Sequence, residues 1–182
     1  RGYVLVCRHA PHIPSIHGMP RNSLTLVLSL LAAHEAYAQD VAVTGTHVER
    51  HDLGSITGRD FRDLYCMWTY NTEIEFDGDL VGLATGFTTA YSPGNCVEDV
   101  SQVTSASFAS ELRFAGSLME NGTAKDFTSP LEYIGKVDEL GDISGGKFIF
   151  TEGALGSLLV DGVYGGNGTY EGEIAIDDVF VV

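Results

Sequence analysis

The stretch GVYGGNGTYEGEIAI, residues 162–176, decides the fold class. Each of its glycines would cost a helix interior ~1 kcal/mol relative to alanine. A hairpin takes them readily. Asn-Gly suits a turn whose two central residues need φ > 0, and the flanking residues then pair as strands. The spacing predicts a strand over 160–164, a turn over Gly165–Gly168 and a last strand from Thr169.

The same grammar runs back along the chain. VAVTGTHVER (41–50) alternates and carries β-branched residues, and GSITGRD (54–60) reads as a loop. DLYCMWTYNTEIEF (63–76) is a long strand whose even positions, Leu64, Cys66, Trp68, Tyr70, Ile74 and Phe76, form one apolar face. LVGLATGFTTAY (80–91) returns beside it, and its Gly82 and Gly86 suggest close backbone approach or room for a ligand. VTSASFASELRFAGSL (103–118) alternates again, with Phe108, Leu112 and Phe114 on its even face. A strand over 123–137 is interrupted by Pro130, which belongs at an edge or bulge. KFIFTEG (147–153), SLLVDGVY (157–164) and the segment from Thr169 complete the set. Eight sequential strands with short turns predict an all-β domain over 39–182, an up-and-down antiparallel barrel that removes its sheet edges by closing on itself. Eight strands enclose packed side chains or one small ligand.

The chain has 182 residues, 22 of them glycine, and a formal net charge of −15. A nucleic-acid partner needs a basic footprint that this charge lacks, and an anionic membrane surface is disfavoured for the same reason. The partner that remains on these grounds is a neutral or cationic small ligand. SLTLVLSLLA (23–32), followed by Ala36-Tyr37-Ala38, has the apolar core and small-x-small pattern of a secretory signal. Residues 1–38 therefore read as a signal or N-terminal extension, against the alternative of an amphipathic helix or strand. The first reading sends the mature chain to the secretory pathway, the second leaves it cytoplasmic. Cys66 and Cys96 are an even pair beyond that point and candidates for a disulfide, with two buried thiols as the alternative. Asn121-Gly-Thr and Asn167-Gly-Thr are glycosylation sequons, each equally readable as a turn. No Cys/His spacing suggests zinc, so no metal is expected.

FDGDLVGLATGFTTAY (76–91) and GKFIFTEGALGSLLVDGVYGGNGTYEGEIAI (146–176) resemble the barrels of allene oxide cyclases and dirigent proteins. The likeness lies in Phe148, Phe150 and Gly153, then in Gly165, Gly166, Gly168, Tyr170 and Gly172, and loosely covers 72–176. The Gly153–Gly165 spacing is shorter than the dirigent pattern. The resemblance implies an eight-stranded antiparallel barrel, a homo-oligomer (dimer or trimer), and cyclisation or isomerisation of a reactive apolar molecule in secondary metabolism without a cofactor.

Chemistry is sought among polar side chains that face the interior. Glu73 is a candidate acid if its face looks inward; the solvated outer face is the competing reading. Glu111 and Arg113 share a face and would polarise a carbonyl from inside or form a salt bridge outside. Tyr65 is a candidate hydroxyl donor. Trp68, Tyr70, Phe87, Phe108, Phe114, Phe148, Phe150 and Tyr170 are candidates for the pocket wall, with Tyr133 as a further aromatic. His47 and His51, four apart in a strand, face one side. They make a metal pair short of a third ligand or a catalytic imidazole. The expectation is a cofactor-independent cyclase or isomerase, with a non-catalytic carrier barrel as the alternative.

Overall fold

The computed structural model describes residues 40–61, 64–96 and 105–176. The N-terminal segment read as a signal lies outside them. Eight strands follow one another: β1 Val41–Phe61, β2 Tyr65–Gly78, β3 Leu80–Pro93, β4 Ala106–Glu120, β5 Thr123–Val137, β6 Ile143–Phe150, β7 Ala154–Gly162 and β8 Asn167–Ile176. Each pairs antiparallel with the next, and β8 returns to β1, closing the sheet into a barrel. Among the described residues no helix is long and apolar enough to cross a membrane.

Period-two alternation sets which face is inside. On β2, Cys66, Trp68, Tyr70, Thr72, Ile74 and Phe76 are buried, and the odd positions face out. Phe108, Leu112, Phe114 and Leu118 of β4 do the same. The middle of the barrel is packed by aromatic rings: Phe76 against Phe114 and Phe148, Phe114 against Phe127 and Phe150, and Tyr133 against Phe148. Eight strands leave an interior that side chains fill. Leu64, placed by alternation on the apolar face, is instead in the turn before β2 and exposed.

Two local differences from the sequence expectation have physical causes. The loop expected at 54–60 is part of β1, because 57–61 pair with 65–69 of β2. The loop character survives as a register shift between Asp52 and Thr57, where Asp52 Oδ1 accepts the Gly54 N–H. The closing hairpin turns earlier than predicted: β7 ends at Gly162, Gly165 takes the left-handed φ of 68°, and Asn167-Gly168 already belongs to β8. The two-residue Asn-Gly turn occurs instead at Asn121-Gly122, with φ of 50° and 77°. Pro130 sits one residue beyond the last β5–β6 pair, Leu131 with Phe150, so its missing N–H falls at a local edge as expected.

Cys66 and Cys96 are joined in a disulfide with Cα atoms 4.7 Å apart, inside the usual span. Gly82 and Gly86 do not open ligand space. A Cβ on Gly82 would meet Gly116 Cα at 2.7 Å and the Phe114 ring at 3.1 Å, and one on Gly86 would strike the Glu111 carbonyl. These glycines let β3 and β4 approach and the Phe114 ring pack.

Candidate functional site

A pocket of about 230 Å³ occupies one end of the barrel. Its wall is apolar: Leu53, Ile56, Trp68, Ala90, Ala106 and Val137. His51, Tyr70, Tyr164, Ser105 and Asp138 supply its polar groups. Toward the opposite end Tyr170 is buried and accepts the Leu80 N–H at 3.0 Å, and burial pushes its phenol up to about 12.

Behind the pocket is a polar cluster built on β1. His47, Glu49 and His51 are two apart, so all three point inward. His47 and Glu49 have fully buried side chains. Removing a carboxylate from water costs several kcal/mol unless it is paired and hydrogen-bonded. Glu49 is held by two hydrogen-bond donors. The Tyr133 hydroxyl donates to its Oε1, and the Gly165 N–H donates to Oε2 at 2.9 Å. His47 Nε2 lies 3.4 Å from Oε1 and His51 Nε2 lies 3.6 Å from Oε2. Neither imidazole contact is a hydrogen bond.

The orientation of His51 is fixed on its other side. Its Nδ1 is 3.1 Å from Thr72 Oγ1, and Thr72, Thr88 and Ser110 continue as a chain of hydroxyls, each step 2.7 Å. Burial lowers the His51 pKa and the Glu49 charge opposes the shift. The ring is therefore a neutral base near pH 7. It packs against Tyr70 and Tyr164 at centroid distances of 5.0 and 4.7 Å. The Tyr70 and Tyr164 hydroxyls hydrogen-bond to each other. Burial pushes Tyr70 up to about 12 and raises Tyr164 as well. Both phenols keep their protons.

The hairpin that decided the fold also builds this cluster. Tyr164 and Gly165 come from its turn. Gly168, opposite His47 in the β1–β8 ladder, makes room for that ring, since a Cβ there would overlap it.

Several sequence candidates lie elsewhere. Glu73 is on the outer face, where Arg50 bonds it at 3.0 Å and Glu75 at 2.8 Å. Its parity is opposite to that of Trp68 and Ile74, and the solvated reading holds. Glu111 and Arg113 are exposed on the outer face of β4, Glu111 opposite Glu132 and Arg113 opposite Pro130. Tyr65 faces outward against Tyr91, with ring centroids 6.2 Å apart. Phe87 is exposed. None of these five reaches the interior. Phe108, Phe114, Phe148 and Phe150 are inside but form the packed core, and Tyr170 is buried toward the far end. Of the eight predicted wall residues, Trp68 and Tyr70 line the pocket.

Sequence reasoning passed over Glu49 and Tyr164. The pattern His47-x-Glu49-x-His51 carried the signal for the first, because a glutamate of that parity must be buried with the two imidazoles. Among the described residues no group of three or more His, Cys, Asp or Glu is placed to hold a metal ion.

No family model matches the chain, and no curated protein matches it. Among solved structures, it is similar to a protein of unknown function from the DUF3224 family of Shewanella oneidensis. The identity is 13%, the match covers 76% of this chain and 98% of that one, and the TM-score is 0.49.

Proposed function

We propose that this protein is a cofactor-independent isomerase or cyclase that takes an apolar small molecule into the end pocket. The observation that carries the reading is the convergence of an apolar wall on one set of proton-transfer groups: His51, with Glu49 behind it and the Tyr70–Tyr164 pair beside it. The loose resemblance of 72–176 to allene oxide cyclase-like and dirigent-like barrels points the same way.

The roles follow from the contacts. With its Nε2 proton toward Glu49, the His51 imidazole presents the Nδ1 lone pair. A substrate C–H group exchanges with Thr72 for that nitrogen. The carboxylate 3.6 Å from Nε2 then stabilises the imidazolium. A phenol of the Tyr70–Tyr164 pair donates to the substrate atom that gains negative charge. The pocket excludes water and holds the substrate in a reactive conformer, which supplies up to ~7–11 kcal/mol of barrier reduction in favourable systems. Glu49 is a positioning residue, because it acts through His51.

Trp68 is the sole tryptophan of the chain and lines the pocket, so its fluorescence reports occupancy. The test titrates 5-nitrobenzisoxazole, from which a base removes the C3 proton while the N–O bond breaks to give a nitrile and a phenolate. Saturable quenching of Trp68 with turnover that falls in His51→Gln and Glu49→Gln, at unchanged KM, supports the enzyme reading. Saturable quenching with no turnover replaces it by a carrier. No quenching removes the pocket reading altogether.

A further inference from the structure

Two phenols share one hydrogen bond at the pocket, and that arithmetic has a chemical meaning. Tyr70 and Tyr164 each carry one O–H, and both rings line the pocket. Their mutual bond uses one of the two hydrogens, whichever residue donates. Neither hydroxyl makes another hydrogen bond among the described residues. One O–H donor is therefore uncommitted, in a site whose remaining wall is mostly apolar. Burial keeps both phenols protonated, so the pair offers a donor and no anion.

We infer that the Tyr70–Tyr164 pair is a binding site for a neutral carbonyl oxygen, and that the substrate class is apolar ketones and enones. This inference rests on the function proposed above and names what that pocket selects. A carbonyl oxygen accepts but cannot donate, and so matches a lone donor. The donor is strengthened by its neighbour, since a phenol that accepts a hydrogen bond donates more strongly. A carboxylate ligand fits poorly. Glu49 lies behind the same wall, Asp138 lines it, and the chain carries a formal charge of −15. An ammonium ligand has no lone pair and would leave the uncommitted O–H without an acceptor. The arrangement also suits the chemistry. Enolisation of a ketone moves a proton from the α-carbon to a base and charge onto the oxygen. His51 and the phenol pair are neighbours in ring contact, placed to receive one each.

The test uses three molecules of nearly one shape: acetophenone, its hydrocarbon analogue α-methylstyrene, and benzoate. Binding to the full chain at pH 7 is measured by calorimetry. The expected order is acetophenone tightest, by about tenfold over α-methylstyrene, the worth of one good hydrogen bond, with benzoate weaker than both. The tenfold preference should vanish in the Tyr70→Phe/Tyr164→Phe double variant while α-methylstyrene binds as before. A reading that needs no variant is the infrared carbonyl stretch of bound acetophenone, which should move to lower frequency than in hexane. Equal binding of ketone and hydrocarbon, a ketone preference that survives the double variant, or an unshifted stretch each overturns the carbonyl site and leaves the pocket in place. Failure of all three molecules to bind, with Trp68 fluorescence unchanged, overturns the carbonyl site because the pocket reading itself has failed.

Discussion

Tyr133 on β5 donates its phenolic hydrogen bond to Glu49 on β1, across the full width of the barrel. In a ring of eight these two strands are opposite walls. The bond is made between residues 84 apart in sequence, and it supports a carboxylate with no access to solvent. Tyr133→Phe should lower stability by about 2 kcal/mol, the range for a hydrogen bond to a charged group. Urea denaturation with an unchanged m-value would show this as a lower midpoint. A variant as stable as wild type would mean that Glu49 is satisfied without Tyr133.

His51 makes stability depend on pH in a stated direction. Its folded pKa is depressed below the unfolded value of about 6.5. Below that value the unfolded chain binds a proton that the folded chain resists. The stabilisation is therefore present above about pH 6.5 and is lost as pH falls through the folded pKa. The groups facing this ring are Glu49 on β1, Tyr70 and Thr72 on β2, and Tyr164 in the closing turn. Melting curves between pH 7 and 5 should show wild type losing more stability than His51→Gln. Parallel losses in the two proteins would contradict the assignment.

Gly168→Ala tests the packing of His47. The added Cβ would overlap the imidazole and lie 2.6 Å from the Asp161 carbonyl. Neither can retreat cheaply, because His47 is buried and Asp161 pairs with Thr169 in the β7–β8 ladder. Overpacking of this kind costs about 1–3 kcal/mol. Gly122→Ala is the control: nothing lies within 4 Å of its Cβ, so the variant carries only the strain of φ 77°. Differential scanning calorimetry should rank Gly168→Ala as the less stable of the two.

The Cys66–Cys96 bridge spans 30 residues of sequence. Closing a loop of that length removes unfolded-chain entropy worth about 3–4 kcal/mol. Reduction should lower the denaturation midpoint accordingly, and Cys66→Ser/Cys96→Ser should melt where the reduced wild type does. If the reductant shifts wild type and the double serine variant alike, the effect lies elsewhere.

Alternation made the strand faces legible. Trp68, Tyr70, Ile74 and Phe76 share a parity, and no residue of the other parity on β2 could be catalytic from within. That rule already argued against Glu73. What it could not supply was the register between distant strands. Glu49 meets Tyr133 and Gly165 only because β1 faces β5 and neighbours the β7–β8 turn, and neither relation is written in local sequence. Pocket size was hidden for a related reason. Aromatic residues of inward parity serve equally as wall or as filling, and only the assembled barrel shows Phe114 and Phe148 filling its middle while Trp68 lines its mouth. Turn position also escaped prediction, since Asn-Gly occurs twice and only Asn121-Gly122 forms the tight turn.

The β7–β8 hairpin has a kinetic consequence. Its last strand seals the ring by pairing with β1, Val41 opposite Ile174 and Val48 opposite Asn167, the most non-local ladder in the molecule. Such pairings are slow to form, because their loop-closure entropy is lost before any contact rewards it. The same hairpin delivers Tyr164 and Gly165 to the Glu49 cluster. Until the ring seals, an open seven-stranded sheet would have the imidazoles and the carboxylate but neither the second phenol nor the amide that steadies them. Recovery of ligand binding during refolding should thus coincide with the slowest structural phase, so that a chain able to act is one that has finished folding.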